Sequence, residues 1–364
     1  MDYIYFLSAM LLTTHLLVLL LVWLWLIFRT RKYLPLEDFE KVSILIAARN
    51  EEKNILECLE ALNKLNYPKE YLEIIIGNDQ SEDQTKKVIE KFIADKKQFQ
   101  LLDISGNLGL AKGKANALAQ MAHQASGKYF FISDADVRVP EDWVQTLLPF
   151  IQYGKNIVSG TTIVRTNSGW QQLQQWEWLF LYTLNSFMQD FQEITCSGNN
   201  MALSAEAYWE SGGYENIEFS VTEDYQLFLS LKRKGYHHIQ LFEANATARS
   251  APTYQFKDLL DQRKRWISGG KGLPLLFWVL MSIYGLFLPS ILFMLFADPL
   301  AALKIISIKL LLELIIFRIS SQQVTSPLKW ILFPVYELYA QVINISNVIN
   351  LILPGKVKWK GRTF

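Results

Sequence analysis

The sequence predicts an α/β domain with a mostly parallel sheet, set between N-terminal and C-terminal transmembrane helices. Long apolar runs lie near both ends of the 364-residue chain. Between them, β-rich runs alternate with helical patterns, which is typical of parallel sheets covered by helices. One apolar run, 130–133, ends in Asp134 and Asp136. Acids at the carboxyl end of a buried parallel strand mark the edge where open sheets bind ligands.

The N-terminal run, 4–28, contains no charge and is followed at once by Arg29, Arg31 and Lys32. It is long enough to cross a hydrocarbon layer of ~30 Å. A signal peptide is less favoured because the basic residues follow the run instead of preceding it. The basic cluster predicts that the next segment is cytoplasmic. We therefore expect an integral protein of the inner or plasma membrane, with its central domain in the cytoplasm.

Three apolar segments follow the central domain, at 273–297, 300–317 and 330–353. Three full crossings would leave the basic tail outside, against the positive-inside rule. We expect instead that the tail is cytoplasmic and that 330–353 lies at the interface or re-enters the membrane. A polar stripe supports this choice, because such a stripe faces other helices or a cavity. Its members are Glu337, Gln341, Asn344 and Asn347.

The central segment contains the following predicted elements in chain order. Strands are predicted at 42–47, 72–77, 99–102, 129–133 and 156–164, and helices at 52–65, 83–92, 114–124 and 169–191. Right-handed crossovers place the carboxyl ends of the parallel strands on one rim. The last of these helices has an aromatic face, which suits either the membrane interface or a protein core.

Polar residues follow three of these strands. They are Arg49-Asn50-Glu51, the stretch from Asn78 to Asp83, and the pair Asp134 and Asp136. Helix capping accounts for some of them, Ser81 and Asp83 in particular. Two carboxylates so close repel each other unless a positive group lies between them. A hard cation such as Mg²⁺ or Mn²⁺, shared with a phosphate, meets that need, although an isolated pair could equally be a solvated turn.

Two further segments carry possible chemistry. Thr222-Glu223-Asp224 opens a helix, where acids either cap the first turn or supply a general base. Gln262, Arg265 and Trp266 lie on an amphipathic segment beside an apolar run. They suit lipid headgroups, or a diphosphate and the ring of a sugar or base.

Composition excludes several classes of protein. The formal net charge of +1 gives no reason to expect nucleic acid as a partner. Cys58 and Cys196 are too few for a disulfide framework, and the four histidines have no metal-ligand spacing.

Taken in order, these motifs resemble the membrane-bound family 2 glycosyltransferases, which include cellulose and hyaluronan synthases and ceramide glucosyltransferase. The resemblance covers about residues 40–275 and the flanking spans. It implies a nucleotide-sugar-binding (GT-A-like) domain, a Mg²⁺ or Mn²⁺ cofactor, and inverting transfer to a lipid or glycan acceptor at the membrane. A UDP-sugar is the first choice of donor, but Asn78 stands where relatives often have Asp, which leaves the nucleobase less certain.

The resemblance also implies roles for individual residues. Asp224, together with Glu223, would be catalytic, and Asp136 and Asp134 would hold the metal. Gln262, Arg265 and Trp266 would lie at the diphosphate and the acceptor entrance, and Ser197-Gly198-Asn199-Asn200 would form an acceptor-side loop. The remaining donor-binding residues would be Ala47, Asn50, Glu51, Asp79 and Lys114, with Lys112 as an alternative to Lys114.

The predicted organisation has five parts. They are a transmembrane helix and basic stop at 1–32, a cytoplasmic glycosyltransferase domain at 39–254, an amphipathic interface helix at 255–272, membrane helices at 273–353, and a basic tail at 354–364. The leading function is a single sugar transfer to a lipid hydroxyl. A processive polysaccharide synthase is the alternative, supported by the Arg265-Trp266 motif and opposed by the short membrane region. A non-catalytic membrane scaffold or transporter subunit is the alternative of another class.

Overall fold

The computed structural model describes residues 2–30, 34–166, 169–270, 272–352, 358–359 and 362–363. The chain forms two compact units. The helical unit comprises Met1–Lys32, Ser168–Ile194 and Tyr254–Gly355, and the sheet domain comprises Tyr33–Asn167, Thr195–Thr253 and Lys356–Phe364. The segment 168–194, which the sequence places inside the central domain, therefore groups with the terminal helices.

The secondary structure elements are numbered in chain order. The helices are α1 Asp2–Phe28, α2 Ile55–Asn63, α3 Thr85–Ile93, α4 Lys114–Gln124, α5 Trp143–Gln152, α6 Gln172–Gln189, α7 Ala205–Glu210, α8 Gly213–Asn216, α9 Glu223–Arg233, α10 Phe256–Gly269, α11 Leu275–Ala297, α12 Pro299–Gln323 and α13 Phe333–Ile352. The strands are β1 Val42–Ala48, β2 Leu72–Asn78, β3 Phe99–Asp103, β4 Tyr129–Asp134, β5 Val137–Arg138, β6 Asn156–Ser159, β7 Thr161–Val164, β8 Asn200–Ser204, β9 His237–Gln240, β10 Thr247–Ser250, β11 Lys358–Trp359 and β12 Arg362–Thr363.

The sheet domain is built on a seven-stranded sheet with the order β3-β2-β1-β4-β8-β6-β9. The strands from β3 to β4 in that order are parallel. β8 runs antiparallel between β4 and β6, and β6 pairs parallel with β9. β1, β2 and β4 are buried along most of their length, as expected for strands covered by helices on both faces. The predicted mostly parallel α/β sheet is confirmed.

The register places the polar strand ends together. Ala48 at the end of β1 pairs with Asn78 at the end of β2, and Asn78 pairs with Asp103. On the other side of β1, Ala47 pairs with Asp134. The single strand predicted at 156–164 is wrong, since β6 and β7 belong to two different sheets. The break is at Gly160, where a Cβ would lie 2.1 Å from the carbonyl oxygen of Ala246.

The helical unit contains α1, α6 and α10 to α13. Among the described residues, α1 and α11 are the two helices long and apolar enough to cross a membrane. The predicted segment 300–317 lies within α12, where Lys309 is bonded to Glu313 and to Glu337 of α13, each at 2.5 Å.

The aromatic face of α6 is core rather than surface. Trp176 is fully buried and its ring centroid lies 4.8 Å from that of Phe317 and 5.7 Å from that of Tyr336. Of the two interpretations that the sequence left open for this helix, the structure therefore supports packing against other helices of the same unit.

Candidate active site

The loops that follow β1 and β2 are bonded to each other. Arg49 Nη1 donates to the carbonyl oxygen of Asp79 at 2.8 Å, and the Asn50 amide donates to Ser81 Oγ at 3.2 Å. Asn50 Oδ1 accepts from the Glu82 amide at 2.9 Å. Asn50 has a φ of 53°, a left-handed conformation that asparagine adopts more readily than most residues. Asn50 thus joins two loops of the rim.

Asp83 has the capping role that the sequence allowed for it. Its carboxylate accepts from the Thr85 amide at 3.0 Å and from the Glu52 amide at 3.1 Å. Burial opposes ionisation, but the hydrogen bonds from Thr85 and Glu52 outweigh it and lower the pKa of Asp83. Asp83 therefore stabilises the start of α3.

The structure explains why position 78 is Asn, where the resemblance leads one to expect Asp. Asn78 Nδ2 donates to Asp103 Oδ1 at 2.9 Å, and Asn78 Oδ1 accepts from the Ser81 amide at 3.3 Å. An aspartate at this position would lose the donor and place a second carboxylate against Asp103, which is unfavourable. The amide is the side chain that satisfies both neighbours.

Three of the predicted donor-binding residues, Ala47, Glu51 and Asp79, lie at the same sheet edge. Glu51 and Asp79 are buried, with 7% and 4% of their surface exposed. The Asp79 amide donates to the carbonyl oxygen of Ala48 at 2.8 Å, and Glu51 Oε2 accepts from Asn54 Nδ2 at 2.9 Å. Ala47, the neighbour of Ala48, is half-buried.

Lys114 links two of the predicted motifs. Its Nζ lies 2.6 Å from Asp134 Oδ1 and 2.9 Å from Glu223 Oε1. Burial favours the neutral amine, but Asp134, Glu223 and Asp224 outweigh that effect and raise the pKa of Lys114. The start of α4, the end of β4 and the start of α9 thus meet around one ammonium group.

Asp224 is held by two main-chain donors. Its Oδ2 accepts from the Gly198 amide at 2.8 Å and its Oδ1 from the Tyr225 amide at 2.9 Å. Burial, followed by the charge of Glu223, raises the pKa of Asp224, while Lys114 and the two amides act in the opposite direction. A Cβ on Gly198 would lie 2.6 Å from Asp224 Cβ, so this close approach requires glycine.

Asn200, in the same predicted acceptor-side loop, has a structural role. Its Nδ2 donates to the carbonyl oxygens of Thr161 and Ala246 at 2.8 and 2.9 Å, and its Oδ1 accepts from Trp143 Nε1 at 2.7 Å. The side chain is fully buried, and both its amide nitrogen and its amide oxygen form hydrogen bonds. Gly198 of this loop donates to the candidate base, whereas the side-chain amide of Asn200 is bonded to Thr161, Ala246 and Trp143.

Gln262, Arg265 and Trp266 lie on α10 in the helical unit, and their assignment to the diphosphate and acceptor remains a prediction. The structure adds a residue that sequence reasoning missed. Arg263 is buried and donates from Nε and Nη2 to the two carboxylate oxygens of Glu177 at 2.7 and 2.8 Å. Its guanidinium carbon lies 4.3 Å from the centroid of the Trp266 ring. The sequence did offer one signal for this ion pair, since Glu177 is the single acidic residue in the apolar helix α6.

Comparison with known proteins identifies the family. The profile described as Glycosyl transferase family group 2 matches residues 129–343, more than half of the chain. The profile described as Glycosyl transferase family 2 matches residues 43–212. The chain belongs to the family 2 glycosyltransferases. The resemblance expected from the ordered motifs is confirmed.

The curated relatives of this chain include enzymes that are named as making different products. It is 28% identical over 66% of its length to the probable glycosyltransferase YdaM of Bacillus subtilis. It is 25% identical over 66% of its length to the β-monoglucosyldiacylglycerol synthase of Synechocystis sp.. It is 28% identical over 64% of its length to the poly-β-1,6-N-acetyl-D-glucosamine synthase of Staphylococcus aureus. The chain spans 58%, 50% and 55% of the lengths of these relatives, respectively.

A solved structure supports the fold of the glycosyltransferase. The mannosyltransferase of Pyrobaculum calidifontis, solved in complex with GDP-Man and Mn²⁺, superposes with a TM-score of 0.64 at 16% sequence identity. The match covers 96% of this chain and 99% of the other. At this level of identity the likeness concerns the fold, and it confirms the predicted GT-A-like architecture.

The acids of the glycosyltransferase suit a metal that is shared with a substrate. Within the described residues, no group of three or more His, Cys, Asp or Glu side chains could hold a metal. Mg²⁺ commonly takes one or two carboxylates and completes its shell with substrate phosphates and water. Asp134 already has Lys114 as its positive partner. Asp136 Oδ2 accepts from Ser250 Oγ at 3.3 Å, and a carboxylate is the kind of ligand that such a metal takes.

Proposed function

We propose that this protein transfers a sugar from a nucleotide-sugar donor to a hydroxyl of a lipid acceptor at the cytoplasmic face of the membrane. A UDP-sugar is the first choice of donor. The observation that carries the proposal is the position of Asp224. This half-buried carboxylate is fixed by two main-chain amides beside the cluster of Lys114, Asp134 and Glu223. A single acceptor-side carboxylate in a fixed orientation is what an inverting transfer requires of its base.

The proposed step needs one proton acceptor and one leaving group. The acceptor hydroxyl oxygen attacks the anomeric carbon of the donor sugar while its proton passes to Asp224. The bond between that carbon and the diphosphate oxygen breaks, and the nucleoside diphosphate leaves from the opposite side. The configuration at the anomeric carbon is therefore inverted. The raised pKa of Asp224 makes this carboxylate a better proton acceptor than an exposed one.

The charged groups of the site favour binding of the anionic donor. Lys114 neutralises Asp134 and Glu223, which would otherwise repel an anionic diphosphate. A divalent cation held by Asp136, with Asp134 nearby in the chain, would add positive charge to stabilise the departing diphosphate. Glu51 and Asp79 are assigned to the nucleoside end of the donor, with Ala47 and Asn50 at the same edge.

The lipid acceptor is supported by two findings. α1 and α11 are apolar and long enough to cross a membrane, and the Synechocystis relative is named as the synthase of a glycolipid. The basic residues that follow α1 favour the cytoplasmic side for the sheet domain.

A binding screen tests the proposal directly. The purified full chain in detergent is heated with a series of nucleotide sugars, with Mn²⁺ or with EDTA, and binding is detected as a rise in Tm. We expect one nucleotide sugar to raise the Tm only with metal, and Asp136→Ala to abolish this rise. Donor hydrolysis or transfer is then measured for the same proteins. A protein that neither binds nor hydrolyses any nucleotide sugar would be the non-catalytic scaffold.

A processive polysaccharide synthase is the second candidate. It is favoured by the Staphylococcus aureus relative, which is named as a polysaccharide synthase, and by the Arg265-Trp266 motif. The length of the radiolabelled product separates the candidates. A single product that extracts into chloroform supports lipid glycosylation, and a ladder or a high-mass smear on a gel supports the synthase.

A further inference from the structure

The small sheet β5-β10-β7 carries three arginines on one face. Arg249 of β10 lies directly opposite Arg138 of β5 and, on its other side, opposite Ile163 of β7. Arg165 follows Ile163 by two residues, and its amide donates to the carbonyl oxygen of Ser250 at 2.9 Å, which continues the ladder. Paired residues share a face of a sheet, as do alternate residues along a strand. Arg138, Arg165 and Arg249 are therefore neighbours, and we call them the arginine face.

One carboxylate faces two members of the arginine face. Glu57 of α2 accepts from Arg165 Nη1 at 2.5 Å and also from Arg138 Nη2, through the same oxygen, Oε2. The Nε groups of Arg138 and Arg165 are buried and have no hydrogen-bond acceptor among the described residues. The guanidinium groups of Arg138 and Arg165 thus share a single carboxylate oxygen of Glu57.

This arrangement is unfavourable without a further anion. Like charges directly opposite each other on neighbouring strands destabilise a sheet, and a buried donor without an acceptor loses the hydrogen bonds it had in water. An anion with several oxygens relieves both costs. The fork of a guanidinium matches the spacing of phosphate oxygens, so phosphate is the anion that several arginines bind best.

The arginine face adjoins the candidate active site. Arg138 follows Asp136 by two residues, and Ser250, the neighbour of Arg249, donates to Asp136 Oδ2 at 3.3 Å. Both long strands of the small sheet lead into the helical unit: the chain continues from β7 to α6 and from β10 to α10. The face therefore lies on the part of the sheet domain that is joined covalently to the apolar helices.

We propose that Arg138, Arg165 and Arg249 bind a phosphate ester carried by the lipid acceptor, beside Asp136. The inference rests on the proposed function and narrows it, since it names the chemical class of the acceptor as a lipid phosphate and not a neutral diacylglycerol. The diphosphate of the donor has other partners in the proposed site, namely Lys114 and the metal at Asp136. Glu57 occupies the face and limits its affinity for anions in the absence of lipid.

Binding without the donor tests this site separately from catalysis. Short-chain phosphatidic acid, the matching diacylglycerol and inorganic phosphate are titrated into the full chain in non-ionic detergent by calorimetry. We expect phosphatidic acid to bind more tightly than either of the other two. Arg138→Gln and Arg165→Gln should each weaken it at least about tenfold, the usual worth of a charge-assisted hydrogen bond. Glu57→Gln should strengthen it, because a competing anion is removed.

Two controls accompany these variants. Arg233→Gln makes the same change of charge at an exposed position in the last turn of α9 and should leave phosphatidic acid binding unchanged. The affinity for UDP with Mn²⁺ should stay within about twofold of the parent in all four variants, because the arginine face contacts the acceptor. A misfolded variant cannot imitate the expected pattern, since Glu57→Gln moves the affinity in the opposite direction to Arg138→Gln.

Three outcomes would overturn the inference. An equal loss of UDP affinity in Arg138→Gln would assign the arginine face to the donor. Inorganic phosphate bound as tightly as phosphatidic acid would show a site for free phosphate. Unchanged phosphatidic acid affinity in Arg138→Gln and Glu57→Gln would show a structural ion cluster. None of these outcomes depends on sugar transfer, so a failure to bind any nucleotide sugar would remove the proposed function while leaving the lipid result to stand.

Discussion

At the scale of single residues, the candidate chemistry depends on how Asp224 is fixed. Two main-chain amides bind its carboxylate, and Gly198 makes one of these contacts possible because it has no side chain. Rotation of the carboxylate would therefore break hydrogen bonds. Such preorganisation is what separates a base from an acid that merely caps a helix.

Replacement of the base gives the first prediction. Asp224→Asn keeps an oxygen for the Gly198 amide but cannot accept a proton, so the transfer rate should fall by about 10²–10⁴-fold. The affinity for the donor should remain. The matched control is Asp95→Asn, which changes an exposed carboxylate and should transfer at the parent rate. Transfer by Asp224→Asn at near the parent rate would place the base elsewhere.

The neighbours of Asp224 give a second prediction, on pH dependence. The base must be ionised, so kcat/KM should rise as the pH rises through the pKa of Asp224 and should be lost below it. Burial and Glu223 raise this pKa, and Lys114 lowers it. Glu223→Gln should therefore move the acid limb of the pH profile to lower pH, and Lys114→Gln should move it to higher pH. If neither Glu223→Gln nor Lys114→Gln shifted the acid limb of the pH profile, a group other than Asp224 would be responsible for that limb.

At the scale of secondary structure elements, α6 connects α10 and α13 through a buried ionic group. Glu177 of α6 accepts from Arg263 of α10 through both oxygens, and Glu177 Oε2 also accepts from Tyr339 of α13 at 2.5 Å. Arg263 has 2% of its side chain exposed. This group orients the helix that carries Gln262, Arg265 and Trp266, so the motif depends on an acid located 86 residues earlier in the chain.

The third prediction concerns this ionic group. Glu177→Gln leaves the buried guanidinium of Arg263 without a counter-charge, and such a loss costs about 3–5 kcal/mol. The Tm in detergent should fall clearly for Glu177→Gln and for Arg263→Met, and should partly recover in the double variant because no charge is then left buried alone. Lys257→Ala, at an exposed position of α10, serves as the control. A Glu177→Gln protein as stable as the parent would contradict the argument.

At the scale of the whole molecule, the proposal that the acceptor is reached from the cytoplasm depends on how the chain is oriented in a membrane. The described residues contain two helices that pass the criteria of length and apolarity for crossing. The basic tail, 354–364, lies largely outside the described residues, and the interface position expected for 330–353 stays a prediction. The placement of the tail can be determined by chemical labelling.

The fourth prediction is that the tail is cytoplasmic. Lys358→Cys should react with a membrane-impermeant maleimide in broken cells and not in intact cells, because its neighbours Lys356, Lys360 and Arg362 favour the inner side. Cys58 and Cys196 are both buried, so the parent protein supplies the background control. Labelling of Lys358→Cys in intact cells would mean that the tail is outside and that all three C-terminal segments cross.

The sequence by itself determined the fold class, the approximate positions of the parallel strands and the edge of the sheet that carries the candidate site. These follow from local geometry, since the period of apolar residues and the polar residues after each strand are set by the backbone next to them. Asp79 and Asp134 could be assigned to one edge because parallel strands end on the same rim.

The tertiary structure alone decided which side chains meet. Lys114 bonds to Glu223, Asn78 bonds to Asp103, and Glu177 bonds to Arg263. The grouping of α6 with the terminal helices and the break between β6 and β7 belong to the same class of result. The arginine face depends on the register of the small sheet, because a shift of one strand by one residue would move its arginine to the opposite face of the sheet. Contacts between distant residues follow from the packing of whole elements, and no local pattern records that packing.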